Sequence, residues 1–134
     1  MDKKFISTGI WLVFSGIILG AFAAHALKQW VTEAALKSFE TGVDYQLFHG
    51  LAFIVLGILF KAHFETDSGF LRKLYPLFLS GLILFSGSIY LLALKEGLSF
   101  DIKILGPITP IGGTLLIIAW AWLGIRFLKL KKQI

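Results

Sequence analysis

The sequence predicts an all-α integral membrane protein, a four-helix bundle with both termini cytoplasmic and a short interfacial helix in the first outer loop. Three observations carry that expectation. The chain is far richer in apolar residues than a soluble domain of its size, it contains four long runs almost free of charge, and its Lys and Arg residues fall mostly on alternate connections between those runs.

Composition sets the solvent. Apolar residues make up 57% of the 134 positions and charged residues 16%, against roughly 45–50% and about 25% in soluble domains. A chain this short is mostly surface, so water could not accommodate that apolar excess. Lipid can. The length fits one domain covering 1–134. The net charge of +5 is dispersed between and beyond the apolar runs, with no continuous basic stripe to track phosphates, which excludes nucleic acid as a partner. Cysteine is absent, which removes disulfides, thiolate metal sites and cysteine nucleophiles.

A hydrocarbon layer about 30 Å thick needs about 20 mainly apolar residues in helical form. Spans are expected over 5–27, 45–63, 74–94 and 110–128. Backbone in lipid must satisfy its own hydrogen bonds, so each span is helical. The first has the basic flank and small-residue end of a signal peptide, but its apolar run exceeds the roughly 7–15 residues of a signal core, so it is read as a retained span.

Between the first two spans, 32–41 has helical spacing of apolar residues at Leu36, Phe39 and Val43, with Gly42 as a stop. A short helix lying at the outer interface is expected there. Trp30 beside it fits the headgroup level. Nine Lys and Arg residues lie at the amino terminus, in the second loop and in the tail, and four lie in the other two loops. The positive-inside rule then places both termini in the cytoplasm, in a plasma or inner membrane. The pentapeptides Ser15-Gly16-Ile17-Ile18-Leu19 and Ser80-Gly81-Leu82-Ile83-Leu84 mark a faint repeat of two parallel hairpins.

Small residues recur at Gly16, Gly20 and Ala24, at Gly50 and Gly57, and around Ser80 and Gly81. Helices in lipid associate by close approach through such positions, so a tight left-handed bundle is expected, with homo-oligomer contact as the competing use of one such face.

With the spans oriented, polar side chains converge on the outer half. The candidate ligand-binding set is His25 at the end of the first span; Tyr45, Gln46 and His49 at the start of the second; Ser86, Ser88 and Tyr90 in the third; and Thr109, Gly112 and Gly113 opening the fourth. Ser15 belongs by the same count to the cytoplasmic half. Tyr45 and His49, and Ser86 and Tyr90, are four apart and share helix faces. Thr109 and Pro110 read as an N-cap and first helical residue, leaving the Gly-Gly backbone beyond them approachable by a lipid phosphate or by a neighbouring helix. Membrane histidines serve either as interhelical bonds or as functional groups. Two histidines without a third ligand make a thin metal site, and no metal or cofactor is called. Trp11, Trp120 and Trp122 read as packing or interfacial residues. Ser86 or Ser88 with His49 lacks a third orienting group, and no strand–turn–helix nucleophile or phosphate loop is present, which argues against an enzyme.

The segments Gly20-Ala21-Phe22-Ala23-Ala24-His25-Ala26-Leu27, Gly42-Val43-Asp44-Tyr45-Gln46-Leu47-Phe48-His49, Phe85-Ser86-Gly87-Ser88-Ile89-Tyr90 and Ile108-Thr109-Pro110-Ile111-Gly112-Gly113 together resemble domain-of-unknown-function family 423. These are small bacterial inner-membrane proteins similar to the eukaryotic transmembrane protein 256. The resemblance implies four spans and supplies no activity. Two function classes stay open: an outer-leaflet polar pocket for a small ligand or lipid headgroup, serving transport or binding, and a structural or assembly subunit of a membrane complex. Membrane lipids are partners in either case, with a second copy or another membrane protein as further candidates.

Overall fold

A computed structural model describes residues 2–63, 68–98 and 105–129. Four helices account for nearly all of them: α1 (Lys3–His25), α2 (Glu33–His63), α3 (Ser68–Leu98) and α4 (Leu105–Leu128), with a 3-10 turn over Leu27–Gln29. All four are long and apolar enough to cross a membrane. Lys103, the tail beyond Lys129 and the side chains of Lys61 and His63 lie outside the described residues.

Local chemistry explains where the helices begin. Asp2 caps α1, its Oδ1 accepting from the backbone N–H of Lys4 and Phe5 at 2.9 and 3.2 Å, which satisfies two of the donors a helix start leaves open. Thr32 Oγ1 accepts from Ala35 N–H at 3.3 Å just ahead of α2. Pro76 sits inside α3 and Pro110 inside α4, as membrane helices allow.

Two expected boundaries are corrected. The segment 32–41 is helical, but it is not a separate helix stopped by Gly42, because α2 runs unbroken from Glu33 to His63. Gly42 is there for contact: a methyl on it would meet the Tyr90 ring at 2.8 Å. The fourth helix begins five residues before Pro110, so Thr109 is an interior residue rather than an N-cap. Gly112 and Gly113 accordingly lie within α4 and offer no open N–H pair to a phosphate.

The start of α1 and the end of α4 lie at the same end of the bundle. Asp2 N–H donates to Gly57 O at 2.9 Å, Thr8 and Tyr75 share a hydrogen bond at 2.7 Å, and the Arg126 guanidinium lies over Phe70. This is termed the terminal end; the opposite one is the loop end. α1 packs along α2, α2 along α3, and α3 along α4.

The first hairpin is joined by backbone contact. A methyl on Gly9 would lie 2.5 Å from the Gly50 carbonyl oxygen, a closeness only glycine permits. Ile6 meets Gly57, Val13 meets Gly50, Gly16 meets Leu47 and Gly20 meets Val43. These contacts repeat at a mean spacing of 3.5 residues, the interval that accompanies left-handed packing. The second hairpin repeats the register. Gly81 meets Leu116 as Gly16 meets Leu47, and Gly112 meets Phe85 as Gly20 meets Val43 with the glycine on the other strand of the pair. The pentapeptide repeat is therefore matched by a repeat of helix contacts. Gly16 being engaged by α2, that stretch of the small-residue face is not open to a second copy.

Candidate functional site

Two apolar clusters bracket a polar layer. Toward the terminal end, Phe5, Phe53, Leu74, Phe78, Leu116 and Leu123 belong to one cluster. Toward the loop end, Ala23, Leu27, Ala35, Phe39, Val43 and Ala93 form the other. Between them sit Ser15, Gln46, His49, Ser86 and Tyr90. Gln46, His49, Ser86 and Ser88 are the buried polar side chains, all at or below 7% exposure.

Gln46 is the junction of three helices. Its Nε2 donates to Leu12 O at 2.9 Å and to Ser15 Oγ at 2.8 Å on α1, and its Oε1 accepts from Tyr90 OH on α3 at 2.8 Å. Ser15 passes its own proton to Trp11 O at 2.7 Å. Both amide protons are thus used.

His49 links α2 to α4. The Tyr45 carbonyl, 2.7 Å from Nδ1, can only accept. The Trp120 indole, 3.1 Å from Nε2, can only donate. Those partners require a neutral ring protonated on Nδ1. Tyr45 stacks on the imidazole at 6.1 Å and packs on Phe85 at 4.5 Å. Ser86 Oγ donates to Gly42 O across α2 and α3 at 2.9 Å. Ser88 Oγ donates to Phe85 O at 3.0 Å and shares a 2.6 Å hydrogen bond with Thr109 Oγ1 on α4. Neither serine bonds His49, so no nucleophile–base pair forms there. Among the described residues, no buried side-chain nitrogen or oxygen lacks a hydrogen-bond partner.

The candidate set is thus split. Gln46 and Tyr90 meet directly, Tyr45 and His49 meet, and Ser88 meets Thr109. His25 is exposed at the end of α1, where its carbonyl accepts from Gln29 Nε2 at 3.2 Å, and it joins none of these groups. Gly112 abuts the Leu84–Phe85 backbone and Gly113 faces the Phe85 ring. Sequence reasoning missed Ser15, Trp120 and the Leu12 carbonyl. Ser15 belongs to the polar layer and not to the opposite half, because it lies next to Gly16, the point where α2 comes closest. Trp120 carries a polar handle that a packing role does not require. The Thr8–Tyr75 bond at the terminal end was not anticipated from the sequence.

Beside the polar layer, a cleft of about 510 Å³ opens at the loop end. Ala34, Ala35 and Ser38 line it from α2, Ile89, Leu92 and Ala93 from α3, and Gly106, Thr109 and Pro110 from α4. Eleven residues along α2 and ten along α4 separate it from the His49–Trp120 bond, about 15 Å at 1.5 Å per residue. α2 and α4 are therefore tied at mid-depth and part toward the loops, with α3 as the back wall. Thr109 belongs to both features.

The comparisons agree with this architecture. Residues 19–113 match the family described as "Protein of unknown function (DUF423)". The chain is 38% identical over 127 residues to the UPF0382 membrane protein SAB0533 of Staphylococcus aureus (strain bovine RF122 / ET3-1), covering 95% of this chain and 97% of that one. It is 37% identical over 131 residues to the UPF0382 membrane protein of Haemophilus influenzae, covering 98% of each. It is 32% identical over 131 residues to the UPF0382 inner membrane protein YgdD of Escherichia coli K12, covering 92% of this chain and 91% of that one. No solved structure matches. Four apolar helices in the register expected of spans, and relatives matched along nearly their whole length, make this chain a multi-pass membrane protein of the DUF423 family.

Proposed function

We propose that this protein binds a small ligand in the cleft between α2, α3 and α4, and that the polar layer is the lock that fixes the cleft's walls. The observation that carries the reading is the contrast between the two features. Among the described residues every buried side-chain nitrogen and oxygen already has a hydrogen-bond partner, while the cleft is open and is lined by Thr109, the partner of Ser88. A headgroup seated among Gln46, His49 and Tyr90 would have to displace bonds already made. A ligand in the cleft displaces none.

The Lys and Arg distribution supports a loop end outside and both termini in the cytoplasm. The reading is of binding without passage, because Phe5, Phe53 and Phe78 fill the bundle toward the terminal end. The test is native mass spectrometry of protein released from membranes in mild detergent, with Gly106→Leu as the cleft-filling variant. A methyl at Gly106 meets nothing within 4 Å, so the variant keeps its fold. The intact chain is expected to retain a small molecule that the variant loses. The same bound complement on both would defeat the reading.

A second reading, a structural subunit of a membrane complex, is favoured by the completeness of the hydrogen bonding, since a scaffold needs rigidity and no free polar groups. It predicts a co-purifying membrane protein whose recovery is unchanged by Gly106→Leu.

A further inference from the structure

We infer that the occupant of the cleft is the upper part of a lipid acyl chain from the leaflet at the loop end; this rests on the ligand site proposed above and names its chemistry.

The walls decide the class. Ala34, Ala35, Ala93 and Gly106 contribute little or no side chain, and Ile89 and Leu92 supply the hydrocarbon surface. The hydroxyl protons nearby are committed. Ser38 Oγ donates to Ala34 O at 3.0 Å. Ser88 Oγ donates to Phe85 O, which leaves the Ser88–Thr109 bond to the Thr109 proton. Pro110 has no N–H. The side chains lining the cleft therefore offer no proton to a phosphate or carboxylate, and burying one there unpaired would be costly. A methylene chain asks for none.

Depth points the same way. In the hairpin registers, His25 at the end of α1 lies level with Ser38, and Leu105 at the start of α4 lies level with Leu92. α2 and α3 therefore run about 8 Å past their partners at the loop end, at 1.5 Å per residue. The cleft begins in that projecting part and descends beside the first turns of α4. Its volume falls within the roughly 300–1,000 Å³ of small-molecule sites, and it opens at the loop end of the candidate spans, the end from which a bilayer chain of that leaflet would enter. The first-turn N–H of Gly106 in α4 edges the cleft on the loop side and makes a headgroup the competing occupant.

The experiment uses the full chain in vesicles of phosphatidylethanolamine and phosphatidylglycerol doped with one of three photoprobes. These are a phospholipid with a diazirine on its acyl chain, a phospholipid with a diazirine on its headgroup, and a small aryl diazirine dissolved in the membrane. Labelled positions are read by peptide mass spectrometry, with Ile17 as a lipid-facing reference, exposed on α1. The acyl probe is expected to label Leu92 and Pro110, the accessible lining residues on α3 and α4, at least fivefold above Ile17. Gly106→Leu and Ala34→Leu, both at exposed positions, should abolish the excess and leave Ile17 labelling unchanged. Excess labelling of the cleft by the small probe or the headgroup probe, without the acyl probe, overturns the acyl assignment and leaves the ligand site standing. No excess from any probe, or an excess that both filled variants retain, overturns both.

Discussion

The Trp120 indole N–H points at Nε2 of His49 from 3.1 Å, and the Tyr45 carbonyl holds Nδ1 on the other side. This pair ties α2 to α4 by a hydrogen bond, about 15 Å along both helices from the cleft. Trp120→Phe keeps a ring against Phe78, which now packs edge-on at 5.1 Å, and deletes only the donor. The expected loss is about 1 kcal/mol in reversible detergent unfolding, within the range of membrane interhelical bonds. The His49 Nε2 nitrogen resonance should shift as its donor leaves. An unchanged resonance would mean that the bond does not form.

Gln46 joins α1, α2 and α3 through three hydrogen bonds. Gln46→Ala is expected to cost about 2–3 kcal/mol, because it opens a cavity at a buried position and removes the acceptor of the half-buried Tyr90 hydroxyl. Tyr90→Phe alone should cost less. A double-mutant cycle on the two positions should return a coupling of roughly 0.6–1.7 kcal/mol. Additive losses would place the two side chains out of contact.

Glycine tolerance should differ sharply along one helix. A methyl at Gly112 runs into the Phe85 backbone nitrogen, whereas a methyl at Gly124 meets nothing within 4 Å. Backbone cannot move aside as a side chain can. Gly112→Ala is expected to destabilise the α3–α4 hairpin by about 1–3 kcal/mol, the usual scale of overpacking, and Gly124→Ala to be neutral or slightly stabilising. Equal effects in unfolding titrations would contradict the close approach of α3 and α4.

Orientation can be read with single cysteines, since the chain has none of its own. Gln29→Cys lies exposed at the loop end and Lys3→Cys exposed at the terminal end. A membrane-impermeant maleimide added to intact cells should label the first and not the second until the cells are opened. The reverse pattern would invert the protein and assign the cleft to the inner leaflet.

How much was legible from residues alone varied with the range of the physics. That the chain forms four long apolar helices was legible, because crossing hydrocarbon depends on the summed hydropathy of about 20 neighbours in the chain. The repeat around Gly16 and Gly81 was visible for the same local reason. The helix starts were not, α2 beginning at Glu33 and α3 at Ser68, well before the apolar runs. Gly42 and Pro110 carry the usual marks of a stop and a start, yet both lie inside longer helices, Gly42 packed against the Tyr90 ring and Pro110 two residues before Gly112, which packs on the Phe85 backbone.

Hydropathy and charge along the chain thus specify that this protein lives in lipid, how many helices it has and which residues are its polar minority. They do not specify partners, because a partner depends on how far each helix is turned about its own axis. That rotation is set between helices, by contacts such as Gly9 with Gly50 and Gly112 with Phe85. Once it is set, Ser15 faces Gln46, Trp120 faces His49, and His25 faces outward. Three-dimensional packing converted a presumed polar pocket into a bonded layer and left the open space next to it.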